Sequence, residues 1–359
     1  MTGASGSMGV EERPDWGSYD RVLQALTQYQ RVAVFLHQNP DGDSVGSSLA
    51  LGLALSHLGK QVSLIYDRNF PKVYRYLAGS DRFVHWKQVS AESFDAALMP
   101  DLAGADRLGD AKPLADAIPI WINCDHHPTN PGFGDVRWVD PTRSCVGEMA
   151  YELVQGLQVP LSLPMAEAIY TAILTDSGSF CFESTTALTH TYAGELLRAG
   201  VRPERIAQSV YESRSLASLR LLGKALTGIR VDAGGHLAWL SISQENLKEA
   251  GAHPGEMEGL VNYARGLEGV EMGVLFFEED RGTIRVGLRS KQYADVGSLA
   301  ERFGGGGHIR AAGCTLEGPL LQARERVLKA AREMLAALPV AATSEAPVIR
   351  APEAGGARS

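Results

Sequence analysis

Short apolar runs alternate with helix-like patterns through the first half of the sequence, and this alternation restricts the fold more than any other feature. The predicted strands lie at 31–36, 61–66, 94–99 and 118–123. The predicted helices lie at 19–30, 44–58, 164–174 and 186–198. Strands that alternate with helices form βαβ units and parallel sheets. The sequence therefore predicts an N-terminal α/β domain with a doubly wound, mostly parallel sheet.

A second pattern of strands begins near Ile229. The elements expected there are strands at 236–242, 270–278 and 283–288 and helices at 299–303 and 319–338. The preceding region, 203–226, has helical spacing and many charges, which indicates a helical connection. We divide the chain into a disordered lead, a first domain, a helical linker, a smaller α/β second domain and a disordered tail, with bounds at 1–17, 18–200, 201–228, 229–338 and 339–359.

The composition is typical of a globular protein. The chain has 359 residues, of which 45% are hydrophobic and 21% charged, and this length can form two domains. The formal net charge of −8 argues against a surface that binds long duplex DNA. The four cysteines include no C-x-x-C pair, and residues 1–15 lack the pattern of a signal peptide. Because no apolar run reaches about 18 residues, we expect a cytoplasmic protein with reduced thiols and no membrane partner.

Acidic and imidazole side chains follow the predicted strands where the strands end, and one further acid follows an apolar helix. Since the carboxyl ends of neighbouring strands lie side by side in a doubly wound sheet, these residues are expected in one pocket. The pocket would contain His37, Asp41, Asp43, Asp101, Asp125, His126 and Asp176. So many carboxylates repel one another without cations. The simplest arrangement is a pair of divalent cations that share one carboxylate.

The types of ligand indicate which cation is bound. Imidazole and carboxylate groups without thiolate favour Mn²⁺ over structural Zn²⁺. Two cations in one site can activate water and stabilise a phosphoryl group during in-line displacement. We therefore expect two Mn²⁺ per site, with Mg²⁺ or Co²⁺ as substitutes. Cys124 points to the face of its strand opposite to Asp125, so we expect it in the core and not among the ligands.

Two of these assignments have a competing interpretation. Asp43 lies directly before the second predicted helix and can cap its N-terminus. Capping explains this one acid but leaves His37 and Asp41 unexplained. Asp106 lies close enough to Asp101 in the sequence to be the acid that follows the third predicted strand.

The ordered set of motifs resembles the DHH phosphoesterases. The chain contains His37-x-x-Pro40-Asp41-x-Asp43, then an acid after the third strand, then Asp-His-His at 125–127, then an acid after a helix. The glycine run at 304–307, followed by a histidine and an Ala-Ala-Gly sequence, resembles the DHHA1 domain that follows the DHH domain in this family. The two domains would cover about residues 18–338.

This resemblance implies a role for each site residue of the first domain. One cation would be bound by His37, Asp41 and Asp101. The other would be bound by Asp43, Asp101, His126 and Asp176. The expected catalytic residues are His127, which would face the scissile phosphate, and Asp125, which would orient a histidine. The Arg-Leu-Gly sequence at 107–109 matches the family's continuation after the shared acid and supports Asp101 over Asp106.

The second domain is expected to bind the far end of the substrate. A run of glycines allows backbone N–H groups to approach an anion closely, although such a run is also typical of a flexible loop. The resemblance implies that Arg289 and Ser290 contact a terminal phosphate or sugar. The expected substrate-binding residues of the whole chain are Arg107, Arg289, Ser290, Gly305, Gly306, Gly307 and His308.

Size and domain order resemble the NrnA-type members of the family, which are oligoribonucleases and pAp phosphatases. This implies Mn²⁺-dependent degradation of RNA dimers to pentamers, including pApA, to nucleoside 5′-monophosphates. It also implies dephosphorylation of 3′-phosphoadenosine 5′-phosphate (pAp) to AMP, short single-stranded DNA as a further substrate, and a homodimer. The alternatives are a RecJ-like single-stranded DNA exonuclease and, from another class, a non-catalytic nucleotide-binding sensor.

Overall fold

The structure, a computed structural model, describes residues 15–257, 259–280 and 282–337. The chain divides into two compact units between Ser213 and Arg214. Residues 1–14 of the predicted lead and the whole predicted tail lie outside the described residues. The end of the predicted lead does form backbone contacts, because Gly17 pairs with Trp138 through an isolated bridge.

The first unit contains a six-stranded sheet in the order β3-β2-β1-β4-β5-β6. The strands are β1 (Arg31–Phe35), β2 (Gln61–Tyr66), β3 (Phe83–His85), β4 (Ala96–Pro100), β5 (Trp121–Asp125) and β6 (Val136–Val139). All neighbouring pairs are parallel, which confirms the predicted doubly wound, mostly parallel sheet. Side chains of β1 alternate between two apolar clusters, with Val32 and Val34 in one and Phe35 in the other. A strand that is buried on both faces explains the continuous apolar run.

Seven α-helices are described in the first unit. They are α1 (Tyr19–Gln28), α2 (Gly42–His57), α3 (Lys112–Asp116), α4 (Val146–Gly156), α5 (Leu163–Asp176), α6 (Ala187–Arg198) and α7 (Pro203–Tyr211). The sequence analysis did not predict β3, β6, α3 or α4. The two strands have only three and four residues, and Arg137 interrupts the apolar pattern of β6. Short elements of this kind carry too little periodicity to be recognised.

Helices α2 and α5 pack closely because small residues line their contact. An ideal β-carbon on Gly46 of α2 would lie 2.3 Å from the carbonyl oxygen of Ala168 and 3.0 Å from the β-carbon of Ala172. The glycine therefore allows the two helices to approach to a distance that a larger residue would prevent. This contact positions the start of α2 and the end of α5, where predicted ligands lie.

Gly46→Ala is expected to lower the free energy of unfolding by about 1–3 kcal/mol, since the added methyl group must push the helices apart. Gly194→Ala in α6 is the matched control. Among the described residues, no neighbouring side chain or element lies within 4 Å of its ideal β-carbon. The control is expected to be neutral or to stabilise by about 0.4–1 kcal/mol. Urea unfolding of both variants measures the difference, and equal stabilities would contradict the close contact.

The second unit contains another six-stranded sheet, in the order β11-β12-β10-β9-β8-β7. Its strands are β7 (Arg230–Asp232), β8 (Leu237–Ile242), β9 (Met272–Asp280), β10 (Thr283–Ser290), β11 (Gly306–His308) and β12 (Ala311–Glu317). Its helices are α8 (Leu216–Thr227), α9 (Gln244–Ala250), α10 (Leu260–Arg265), α11 (Val296–Glu301) and α12 (Leu320–Ala337). Strands β8 and β9 are parallel and the other pairs are antiparallel. The unit is therefore mixed α/β, as predicted.

The segment predicted as one helical linker contains two separate helices. Helix α7 ends at Tyr211 in the first unit, and α8 begins at Leu216 in the second. The side chain of Ser215 accepts a hydrogen bond from the backbone N–H of Ser218 at 2.9 Å and caps α8. The serine cap marks where the helical pattern is interrupted.

Among the described residues, no helix combines the length and the apolar character that a membrane span requires. All four cysteines are free thiols, and Cys181 is the exposed one. Cys124 is fully buried, which agrees with the core position predicted for it.

Candidate metal centre and anion-binding residues

Three neighbouring strands of the first sheet lead into the predicted metal ligands at their carboxyl ends. β1 leads into His37, β4 is followed by Asp101, and β5 ends at Asp125, directly before His126. β1, β4 and β5 are adjacent in the sheet. Asp176, the last residue of α5, joins them. Residues that are far apart in the sequence therefore lie at one point of the fold.

A first cluster surrounds the Nε2 atom of His37. This atom lies 3.4 Å from Oδ2 of Asp101 and 3.7 Å from Oδ1 of Asp41. Ligand atoms of the three residues all lie within 4.8 Å of one another. The same three residues are those that the resemblance assigns to one cation.

A second cluster surrounds the Nε2 atom of His126. It lies 3.5 Å from Oδ2 of Asp176, 3.8 Å from Oδ1 of Asp101 and 4.0 Å from Oδ2 of Asp43. Asp101 thus contacts both histidines, one with each carboxylate oxygen. A carboxylate in this position can be shared by two adjacent cation sites.

Backbone carbonyls determine which ring nitrogen of each histidine faces the acids. Nδ1 of His37 lies 2.7 Å from the carbonyl oxygen of Gln38, and Nδ1 of His126 lies 3.3 Å from that of Arg143. A carbonyl oxygen only accepts, so each Nδ1 donates its hydrogen and Nε2 is the nitrogen that faces the carboxylates. Burial alone would lower the pKa of His37, but Asp101 and Asp41 raise it to about 10. A bound cation would be coordinated through Nε2, the arrangement in which the other ring nitrogen of a metal-ligating histidine donates to a carbonyl or carboxylate oxygen.

Burial and neighbouring carboxylates raise the pKa values of two acids of the cluster, Asp43 and Asp176. Burial and the neighbouring Asp101 raise the pKa of Asp43 well above its ordinary value. Burial also raises the pKa of Asp176, to about 6, and Asp41 and Asp101 add to this increase while His126 opposes it. A divalent cation would neutralise this repulsion. The donor set therefore fits a bound metal.

Asp43 binds the start of another helix as well. Its two carboxylate oxygens accept hydrogen bonds from the backbone N–H groups of Val146 and Gly147, at 2.7 and 2.8 Å, in the first turn of α4. The alternative that Asp43 caps the helix after it is wrong. That helix begins at Gly42, so the cap is Asp41, which accepts from Ser44 N–H at 3.1 Å.

Asp125 orients His127. Its Oδ1 lies 2.8 Å from Nδ1 of His127, and Asp125 itself is completely buried. Burial alone would lower the pKa of His127, but Asp125 raises it to about 9. Burial alone would raise the pKa of Asp125, but His127 lowers it to about 2. The pair is therefore an imidazolium held by a carboxylate, which fixes the orientation of the ring.

Two asparagines that the sequence analysis did not single out support this pair. The amide nitrogen of Asn130 lies 2.6 Å from Oδ2 of Asp125, 2.9 Å from Oδ1 of Asn123 and 3.2 Å from the carbonyl oxygen of Leu102. The amide of Asn123 also donates to the carbonyl oxygen of Leu102, at 3.1 Å. The signal in the sequence was a polar residue inside the apolar run of β5, which indicates a satisfied buried amide.

The backbone of Asp101 is in the left-handed region, with φ of 58°. Such a conformation is uncommon for residues other than glycine and is found where the surroundings hold it. The N–H of Asp101 donates to the carbonyl oxygen of Cys124 at 2.9 Å, and the asparagines bind the next carbonyl, that of Leu102. This network directs the Asp101 side chain between the two histidines.

Two further candidates of the first unit are Arg107, at the edge of the cluster around His37, and Asp106, outside both clusters. Arg107 is exposed, and its Nη2 atom lies 3.3 Å from Nδ1 of His37. Asp106, the alternative to Asp101, is also exposed and belongs to none of the ligand groups found among the described residues.

In the second unit, the predicted anion-binding residues lie at one end of β10, β11 and β12. Arg289 pairs with Ala311, and Gly307 pairs with Ala312. Ser290 is almost completely buried, and its hydroxyl donates to the carbonyl oxygen of Ile309 at 3.4 Å. In this arrangement Ser290 connects β10 to the segment after the glycine run.

The glycine run is only partly a loop. Gly306 and Gly307 belong to β11 and pair with β12, so the expectation of a simple loop is wrong for them. An ideal β-carbon on Gly305 would lie 2.1 Å from the carbonyl oxygen of Gly313, and one on Gly307 would lie 2.5 Å from that of Ala311. Glycine is needed because β12 approaches this closely. The side chain of His308 lies outside what the structure describes.

Glu271 and Arg310 hold the loop that follows Ser290, and the sequence analysis did not identify either of them. Buried Glu271 accepts hydrogen bonds from the backbone N–H groups of Tyr293 and Ala294, both at 2.8 Å. Arg310 donates to the carbonyl oxygen of Ala294 at 2.9 Å. An acid between Val270 and Met272, in an otherwise apolar run, was the available signal.

Comparisons with known proteins agree with this architecture. The profile described as "DHH family, N-terminal domain" matches residues 31–173, and the profile described as "DHHA1 domain" matches residues 234–337. The first match contains the ends of β1, β4 and β5, and the second contains the glycine run.

Relatives with both domains are similar over most of their length. A protein of Thermus thermophilus named bifunctional oligoribonuclease and PAP phosphatase NrnA is 33% identical over 89% of this chain and 95% of its own. A protein of Bacillus subtilis with the same name is 30% identical over 82% of this chain and 92% of its own.

Solved structures share the fold. The crystal structure of an exopolyphosphatase-related protein from Bacteroides fragilis has a TM-score of 0.81 at 26% identity, over 89% of this chain and 97% of that one. RecJ from Thermus thermophilus, in complex with Mn²⁺, has a TM-score of 0.50 at 16% identity, over 88% of this chain and 54% of that one, a likeness of fold alone. On the motifs, the two profile matches and the full-length relatives, this chain belongs to the metal-dependent DHH phosphoesterase family and carries a DHHA1 domain behind its DHH domain.

Proposed function

We propose that this enzyme is a Mn²⁺-dependent phosphoesterase of short nucleotides. It degrades RNA dimers to pentamers, including pApA, to nucleoside 5′-monophosphates, and it dephosphorylates pAp to AMP. The observation that carries the proposal is the pair of clusters that share Asp101, in a chain that matches relatives named oligoribonuclease and PAP phosphatase over nearly their full length.

Each cluster holds one cation in this proposal. His37, Asp41 and Asp101 bind the first cation, and Asp43, Asp101, His126 and Asp176 bind the second. Mn²⁺ is the proposed ion, with Mg²⁺ or Co²⁺ as substitutes, because the ligands are imidazoles and carboxylates. When bound, such a pair activates water and neutralises charge on a phosphoryl group.

The residues of the chain orient the substrate and stabilise its charge. Asp125 holds Nδ1 of His127, so the Nε2–H of the imidazolium donates to a phosphoryl oxygen as negative charge develops there. Arg107, beside His37, contributes a second positive charge. The second unit contributes Arg289, Ser290, Gly305, Gly306, Gly307 and His308, which bind the terminal phosphate or sugar in this proposal.

The two alternatives, a RecJ-like single-stranded DNA exonuclease and a non-catalytic nucleotide-binding sensor, receive less support than this proposal. The likeness to RecJ is one of fold, and this chain covers 54% of that structure. A sensor without catalysis does not need to keep the ligands together, whereas the ligand atoms of both clusters lie close enough here to hold a metal. Short single-stranded DNA is proposed as a poorer substrate, and a cytoplasmic homodimer as the state of the protein.

The test compares 5′-labelled RNA and DNA of several lengths with pAp and pApA in the presence of Mn²⁺. We expect the fastest turnover for RNA dimers to pentamers, release of nucleoside 5′-monophosphates, and conversion of pAp to AMP. Asp125→Ala is expected to lose these activities, and Asp116→Asn, a change of an exposed acid outside the site, is expected to keep them. Comparable rates on long single-stranded DNA would favour the exonuclease, and no turnover of any of these would favour the sensor.

A further inference from the structure

The segment directly after Asp176 is a strained turn. Gly178, Ser179 and Phe180 all have left-handed backbone conformations, with φ of 57°, 60° and 64°. Two of these three residues are not glycine, and such a conformation persists in other residues only where the surroundings enforce it. Strain of this kind is concentrated at sites that bind a ligand.

Hydrogen bonds to Ser177 enforce the turn. The carbonyl oxygen of Ser177 accepts from the N–H groups of Cys181 and Phe182 at 3.0 and 2.9 Å. Its hydroxyl oxygen accepts from the N–H of Phe180 at 2.9 Å. Since Ser177 is completely buried next to the candidate ligand Asp176, the turn has a defined position relative to the metal centre.

This turn holds two phenylalanine rings in different environments. The half-buried ring of Phe180 stacks on His190, with 5.1 Å between the ring centroids and 22° between the planes. The Phe182 side chain is 37% exposed. Its ring lies against Gly178, because an ideal β-carbon there would be 2.4 Å from Cε1 of Phe182. The chain thus keeps a partly exposed aromatic ring against the backbone two residues beyond Asp176.

We propose that Phe182 is the surface on which the base of the bound nucleotide stacks while its phosphate lies at the metal centre. The inference rests on the proposed function and extends it, since it assigns a nucleobase subsite to the first unit. Stacking on an aromatic ring suits any base, because every base has a π-face. A very short substrate has few phosphates, so a stacked base supplies a large share of its affinity.

Equilibrium binding of the reaction product tests the subsite without turnover. AMP and ribose 5-phosphate, which differ by the base, are titrated into the full-length protein with Mn²⁺ by calorimetry. We expect the wild type to bind AMP about 5- to 150-fold more tightly than ribose 5-phosphate, as one stacked base implies. Phe182→Ala and Phe182→Leu are expected to remove this difference, and Phe182→Tyr is expected to keep it.

Kinetics supply the second readout. In Phe182→Leu, which keeps the apolar volume, KM for pAp is expected to rise by the same factor with little change in kcat. Leu197→Ala, at an exposed leucine of α6, is the control and is expected to change neither value. A preference for AMP that persists in both Phe182→Ala and Phe182→Leu overturns the inference, and so does an equal loss of affinity for both ligands. A wild type that binds AMP by stacking but hydrolyses no nucleotide contradicts the proposed function instead.

Discussion

Asp101→Asn is expected to reduce kcat/KM for pApA and pAp by about a thousandfold or more. Asp101 is the carboxylate that contacts both histidines, with Oδ2 at 3.4 Å from Nε2 of His37 and Oδ1 at 3.8 Å from Nε2 of His126. An amide cannot serve as an anionic ligand between two cations, whose contribution to charge stabilisation is several kcal/mol, and each 1.36 kcal/mol corresponds to a factor of ten.

Asparagine is the substitution that leaves the fold intact. It has the shape of aspartate, and it is among the residues that tolerate the left-handed conformation found at position 101. The matched control is Asp106→Asn, at the exposed acid that competes with Asp101 for the same role in the sequence, and it is expected to retain full activity. Steady-state kinetics with Mn²⁺ decide between them. Loss of activity in the Asp106 variant together with activity in the Asp101 variant would reverse the assignment of the shared ligand.

Mn²⁺ added to chelator-treated protein is expected to raise the unfolding midpoint of the first unit by about 5–10 °C. The buried carboxylates repel one another, as the raised pKa values of Asp43 and Asp176 show, and a bound cation removes this cost from the folded state alone. Binding at a hundred times Kd stabilises by about 2.7 kcal/mol. For a unit of this size, each kcal/mol shifts the midpoint by about 2–4 °C.

Differential scanning calorimetry with and without Mn²⁺ measures this shift. Asp43→Asn is expected to reduce it, because the variant has one fewer anionic ligand. Asp116→Asn, the same change at an exposed acid paired with Lys112, is expected to leave it unchanged. An equal shift in all three proteins would mean that Mn²⁺ binds elsewhere.

The parallel sheet of the first unit could be predicted because its central strands are long apolar runs separated by helical periodicity. β1 has apolar residues on both faces, and such a strand can only lie inside a sheet that is covered on both sides. The edge strands β3 and β6 could not be predicted, since three or four residues contain no measurable period. β11 escaped prediction because a run of glycines has no apolar pattern, and only the close approach of β12 shows that it is a strand.

The donor groups of the candidate metal centre could also be predicted from residue types, because acids and imidazoles at successive strand ends have few other uses. The hydrogen-bond partners of the individual residues could not be predicted from residue types. The competing interpretation of Asp43 as the cap of α2 was wrong, because the helix starts earlier and Asp41 caps it. The sequence also did not show that the hydroxyl of Ser290 donates to the carbonyl oxygen of Ile309.

Local order along the chain thus follows from spacing and residue type, which act over a few residues and can be read without coordinates. From spacing and residue type we could therefore predict the alternation of strands and helices, the identity of the donor groups and the presence of two units. Tertiary packing alone decides which nitrogen of His37 and His126 faces the acids, how Asn130 supports Asp125, and where the ring of Phe182 lies. These features depend on contacts between residues far apart in the chain, and such contacts leave no period in the sequence.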